Sequence, residues 1–218
     1  MDRFPESEIQ FKRGIVFAQV SGDAKHGELP EPAPEDLIEK YWTFKSQTGV
    51  TLNIHTDSMD ISSTHHKTYS HQDEQDRFRD AIEAAVNPFL DLVPIPKIKR
   101  IGLRYIDECP VPARNTEAFC SYYNTTFPTG RFTIEDSRRM EFVARVQRED
   151  YGLVFREILI MDEEEPKLVL DTDAFGTDIE ARTYLAVTDH LHELVVAEFK
   201  RSIREPVYEH MRAPKENR

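Results

Sequence analysis

From Val187 to Met211 an apolar side chain stands at every fourth position, through Leu191, Val195, Phe199, Ile203 and Val207. Residues spaced this way share one side of an α-helix, so the segment predicts a long amphipathic helix with that stripe in a core. A turn takes about 3.6 residues, and a strict spacing of four therefore drifts around the axis. A helix built on it should curve over a sheet, and Pro206 should kink it. Thr177 with Glu180 has the spacing of a capping box and places the predicted start there. Phe199 and Ile203 are expected to pack on sheet residues such as Phe142 and Phe155.

A helix with one apolar side needs a partner surface, and the preceding residues supply one. Met140, Phe142, Ala144 and Val146 alternate with Glu141, Arg145 and Gln147, and Tyr151, Leu153, Phe155, Leu159 and Met161 continue the period of two. A turn at Glu149 to Gly152 and an acidic turn at Asp162 to Pro166 separate these runs from Leu168 and Leu170. Three strands joined this way read as an antiparallel meander.

The first half repeats the theme. Phe11 to Val20 reads as a strand, and Gly22 to Glu35, with its prolines and charges, as a loop. Tyr41 to Ser46 and Val50 to Thr56 flank Gln47-Thr48-Gly49 as a hairpin, with Trp42, Phe44, Val50, Leu52 and Ile54 on its apolar side. Ser70 with Asp73 suggests a helix start, and Phe78, Ile82, Val86 and Leu90 follow at intervals of four until Pro88 should end or kink the helix. Lys97 to Asp107 alternates as a further strand, and Asn115 to Tyr123 reads as a short helix.

The fold class expected is therefore α+β, with antiparallel sheet and helices on one face. Leu52 to Met59 and Leu168 to Phe175 are similar phrases, and each half runs from strands to one amphipathic helix. That order suggests an internal duplication with halves at 1–110 and 111–218, expected to form one compact unit.

Charge and cysteine usage narrow the setting. Lys and Arg total 28 against 40 Asp and Glu, a formal charge of −12, which disfavours non-specific nucleic-acid binding and favours a basic protein partner. Cys109 and Cys120 have no redox or metal spacing, no apolar run reaches the length of a membrane span, and the amino-terminal residues are charged. A cytoplasmic location is the expectation.

Arg100-Ile-Gly-Leu-Arg-Tyr-Ile-Asp107, Leu170-Asp-Thr-Asp173, Leu191-His192 and Phe199-Lys-Arg-Ser-Ile203 together resemble a sporadically distributed family of uncharacterised bacterial and archaeal proteins. Asp107 stands where that family has asparagine. The resemblance carries no activity with it. Its scattered distribution implies an accessory role such as defence or a toxin–antitoxin system.

Candidate ligand-binding residues are Arg104, Tyr105, Asp171, Asp173 and His192. Arg104 lies among apolar residues of a strand, where it serves as a structural ion pair or binds an anion. Asp171, Asp173, Gly176 and Asp178 open like a calcium loop, but Arg182 stands where the distal acid is required. The bland reading is that the two aspartates end a strand and Asp178 faces a helix amino terminus. His190 and His192 are two apart and point away from each other on a helix, and His65, His66 and His71 lie in a loop. Arg139, Glu141, Arg145, Arg156 and Glu157 suggest cross-strand charge pairs on a wet sheet face. No nucleophile elbow and no glycine-rich phosphate loop is present in the sequence, so neither catalytic residues, metal nor cofactor are expected. The leading expectation is a non-enzymatic protein-interaction module, antitoxin-like or an assembly component. The alternative is a small-ligand or nucleotide-binding sensor with Arg104 in its site.

Overall fold

A computed structural model describes the backbone of residues 6–13 and 38–39, and residues 40–66, 68–70, 77–162 and 166–212 in full. The protein is α+β, with two four-stranded antiparallel sheets. It divides into two compact units, Met1–Val93 and Pro94–Arg218.

In the first unit β1 (Glu6–Arg13), β2 (Ile38–Lys45), β3 (Val50–Ile54) and β4 (Met59–Ser63) lie in sequential order. The predicted strand at Phe11 to Val20 overlaps β1 only at its start; its remainder, and the loop at Gly22 to Glu35, lie outside the described residues. The predicted hairpin is present, pairing Trp42 with Ile54 and Phe44 with Leu52. Gly49 holds φ +73 in its turn, a conformation that glycine adopts at no steric cost. Helix α1 (Phe78–Leu92) buries Ala81, Ile82, Ala85, Val86 and Leu90. It runs through Pro88 rather than ending there, so the apolar residues on both sides of the proline offset the lost backbone hydrogen bond. Its amino terminus is at Arg77, with no side-chain cap, so Ser70 does not cap it.

The second unit is built on β5 (Lys97–Pro110), β6 (Arg139–Arg148), β7 (Tyr151–Ile160) and β8 (Lys167–Glu180), in the order β5-β8-β7-β6. The meander of β6, β7 and β8 is as expected, with Glu149 at φ 54 in its first turn. β5 joins it by pairing with β8 from Lys97↔Glu180 to Pro110↔Lys167. This pairing places the division at Val93/Pro94 instead of 110/111, because β5 belongs to the second unit. The similar phrases also fall in unlike places. Leu52 to Met59 crosses the β3–β4 turn, whereas Leu168 to Phe175 lies wholly within β8, so the likeness is one of sequence and not of equivalent structure.

Helix α2 (Thr116–Tyr122) is capped by the Asn115 side chain, which accepts from the Ala118 N–H at 2.9 Å. After β8 a single 3-10 turn (Ala181–Thr183) leads into α3 (Tyr184–Ser202), followed by α4 (Glu205–Arg212). The capping box expected at Thr177 does not form, because β8 continues to Glu180 in register with Lys97. The long helix is also two helices. Ile203 is extended and bridges to Tyr123, with Asn124 N–H donating to Ser202 O and Arg204 N–H to Tyr122 O. The break leaves Pro206 in the first turn of α4, where its missing N–H costs nothing.

The stripe still finds the core. Ile203 and Val207 are buried with Phe119, Tyr123, Phe155, Leu159, Leu168 and Leu170, and Leu191 and Val195 are buried on α3. Phe199 is half-buried against this cluster, Met211 is exposed, and Phe142, expected inside, is 36% exposed on the edge strand β6.

Candidate functional site

Strand pairing sorts the side chains of the second sheet onto two faces, because directly opposed residues share a face and neighbours along a strand alternate. Leu103, Tyr105, Asp107 and Cys109 of β5 lie on the same side as Leu168, Leu170, Thr172 and Ala174 of β8. Helix α3 packs across β5 and β8 on this side. Arg100, Arg104 and Ile106 therefore share the opposite, open face with Asp171, Asp173 and Phe175 of β8, Val154 and Arg156 of β7, and Glu141, Val143 and Arg145 of β6.

At the centre of the open face Asp171 is only 4% exposed. Arg104 donates to both its oxygens, Nε to Oδ1 at 2.7 Å and Nη2 to Oδ2 at 2.8 Å, and Arg156 Nη1 adds a third bond at 3.1 Å. Burial pushes the Asp171 carboxyl upward, but the hydrogen bond and charge of Arg104, with the charge of Arg156, outweigh it and hold the group below the usual carboxylate range. Arg104 is thus an ion-pair residue whose side chain nonetheless remains about half exposed (53%). Two parallel N–H···O bonds fix the guanidinium plane and leave its other N–H groups to solvent.

Asp173 lies opposite Arg104 in register yet pairs with Arg100, whose Nη2 donates to Oδ2 at 2.9 Å. The Arg100 guanidinium also lies over the Phe175 ring, 4.7 Å from its centroid. Glycines make this layer possible. A Cβ at Gly102 would meet the Arg100 guanidinium at 2.7 Å, and one at Gly152 would meet the Phe175 ring at 2.3 Å. The ring and the guanidinium therefore lie flat across the strands. Around them Ile106 and Val143 are exposed aliphatic side chains, at 59% and 40%.

The other two predicted residues meet on the covered face. Tyr105 Oη and His192 Nδ1 share a hydrogen bond of 2.9 Å between β5 and α3. Burial lowers the pKa of His192, against the opposing charges of Asp189 and Glu193, and raises that of Tyr105. Burial also raises Asp107, and with the charge of Asp107 it pushes the Cys109 thiol up to about 12, far from a reactive thiolate. The five predicted residues thus form two groups on opposite faces: Arg104, Asp171 and Asp173 on one, Tyr105 and His192 on the other.

Asp171 and Asp173 do not end a strand as expected; they lie within β8, their carboxylates already held by arginines. Asp178 is likewise in β8, at φ 55, and not at a helix amino terminus. His190 Nε2 and Nδ1 lie 3.4 Å from Glu149 and 3.6 Å from Glu193, His66 Nδ1 is 2.8 Å from Ser63 Oγ, and His71 lies outside the described residues. Among the described residues no three His, Cys, Asp or Glu side chains converge as metal ligands do.

Arg139 and Glu141 pair along one strand at 3.3 Å, and Arg156 pairs across strands with Asp171. Glu157, expected on the wet face, is buried on the covered one, where its Oε2 accepts from the Thr126 N–H at 2.8 Å and from the Thr126 hydroxyl. Sequence reasoning missed the layer formed by Arg100, Phe175 and the two glycines, since only the β5–β8 register brings residues so distant in sequence together. Ile106 and Val143 were findable: each falls on the charged parity of its strand.

Among the described residues, no helix is long and apolar enough to cross a membrane. No protein-family model, curated protein or solved structure matches the chain.

Proposed function

We propose that the protein is a non-enzymatic interaction module, and that the open face of the β5-β8-β7-β6 sheet receives another protein. The observation that carries this reading is the open face itself: Ile106 and Val143 stand exposed on a sheet surface where Asp171 and Asp173 hold Arg100, Arg104 and Arg156. Exposed aliphatic groups flanked by fixed guanidinium groups favour recognition, because little side-chain freedom remains to be lost on binding.

The overall charge of −12 suggested a basic partner, but this face carries Arg100, Arg104, Arg139, Arg145, Arg156 and Lys167, more cations than acids. An acidic partner segment with an apolar centre fits it better. The ligand-sensor alternative has less support, since two nitrogens of Arg104 are committed to Asp171. An antitoxin-like or assembly role in an accessory system is compatible with such a face and rests on the family resemblance alone.

The test sets affinity capture with candidate partners from neighbouring genes beside a thermal-shift screen of nucleotides and metal ions. The expected result is a stoichiometric protein complex that Ile106→Asp abolishes and no saturable thermal shift. No complex, together with a saturable shift, would replace this reading with the ligand sensor.

A further inference from the structure

We infer that two copies of this chain pair through the edge of β6 that no described strand covers, antiparallel and centred on Val143, to form one continuous eight-stranded sheet. The inference goes beyond the proposed function and stands without it.

The two edges of the second sheet are unlike. β5 begins with Lys97, Lys99 and Arg100 and ends in Pro110, the charges and proline by which sheet edges discourage pairing. β6 has no proline, and its register with β7 is unbroken from Arg139↔Ile160 to Arg148↔Tyr151, so no bulge turns it away. Its middle is Phe142-Val143-Ala144, and Phe142 and Val143 are exposed on opposite faces of the sheet. The charges of β6, Arg139, Glu141, Arg145 and Arg148, flank this centre without interrupting it, and apolar exposure on both faces in the middle of an edge free of proline and bulge is what strand addition covers.

The sequence of β6 selects the occupant, because the strand complements itself. With Val143 opposite Val143 of the second copy, Glu141 of each strand faces Arg145 of the other, and Arg139 faces Gln147. On the other side of the sheet Phe142 faces the small Ala144, and Met140 faces Val146. Every exposed apolar residue then meets an apolar one, and the two unlike-charge pairs repeat by symmetry. Neighbouring registers lose this match. Centring on Phe142 sets Arg139 against Arg145, and centring on Ala144 sets Glu141 against Gln147 and Arg145 against Val143. A two-fold axis normal to the sheet keeps the open faces on one side and closes the assembly at two copies.

Light scattering coupled to gel filtration, across a concentration series to about 100 µM, should give twice the chain mass of 25.4 kDa. Glu141→Arg opposes like charges at both symmetric positions and should weaken the dimer by roughly tenfold or more. Adding Arg145→Glu to it restores unlike pairs in the same register and should restore the dimer. In a Cys120→Ser background, which removes the partly exposed native thiol and leaves only the buried Cys109, Val143→Cys should form an intermolecular disulfide on mild oxidation that the Cys120→Ser parent does not. A monomer at all concentrations overturns the inference. So does a dimer that tolerates Glu141→Arg and gives no crosslink through Cys at 143.

Discussion

The two faces of the second sheet are made from the same four strands by the same alternation, yet they withdraw a carboxylate from water by different means. On the covered face Glu157 accepts from the backbone and hydroxyl of Thr126, neutral donors inside an apolar layer. On the open face Asp171 is enclosed by the guanidinium groups of Arg104 and Arg156, which themselves reach water. The difference separates a packed face from a wet one. A face that buries leucines needs each polar group satisfied locally, whereas a face built of ion pairs can stay wet, keep its charges fixed and still offer aliphatic side chains between them.

That contrast is open to mutation, and the largest effect belongs to the covered face. Leu168→Ala removes a fully buried side chain and should cost about 2–5 kcal/mol in denaturant unfolding. A loss below about 1 kcal/mol would mean that α3 and α4 do not hold this face closed.

Asp171→Ala comes next. It strips the shared partner from two arginines, but both keep access to water, so the expected loss is about 1–3 kcal/mol instead of the ~3–5 of a fully buried pair. Because the folded carboxyl titrates below its unfolded value, its contribution is present at neutral pH and is lost as pH falls through the acid range. The wild type and the variant should therefore converge in stability in acid, and a gap that stays constant with pH would contradict the ion-pair account.

A smaller, more local effect is expected at Glu135, whose carboxylate accepts from the Thr116 N–H at 2.8 Å and from the Thr116 hydroxyl. These bonds hold its pKa down to about 2 against an ordinary 4.5. The stabilisation is present above the ordinary value and fades as pH falls toward the folded one, so Glu135→Gln should flatten part of the acid limb of a melting-temperature profile. An unchanged acid limb would remove Glu135 from the capping of α2.

Period-two and period-four spacing made most of these elements legible in the sequence, since β6, β7 and α1 each announce themselves locally. What was not legible depended on partners far along the chain. The β5–β8 pairing moved the unit boundary and carried β8 past Thr177, and the tie between Tyr122-Tyr123-Asn124 and Ser202-Ile203-Arg204 broke a helix whose stripe looked continuous. For the candidate site, Arg104 stood out as a cation among the apolar residues of a strand and Asp171 as the first acid of a calcium-loop-like run, and strand parity would have separated them from Tyr105. The spacing of His192 gave no hint of the hydrogen bond it shares with Tyr105, because that contact joins a helix to a strand 87 residues away.

The proposal that a partner docks on the open face is probed at its most exposed aliphatic side chain by Ile106→Asp. With Ile106 59% exposed, urea unfolding should place the variant within about 0.5 kcal/mol of wild type, while partner capture falls away. A destabilisation above about 1.5 kcal/mol would rule the docking proposal out, because it would mean that the chain already buries this face on itself.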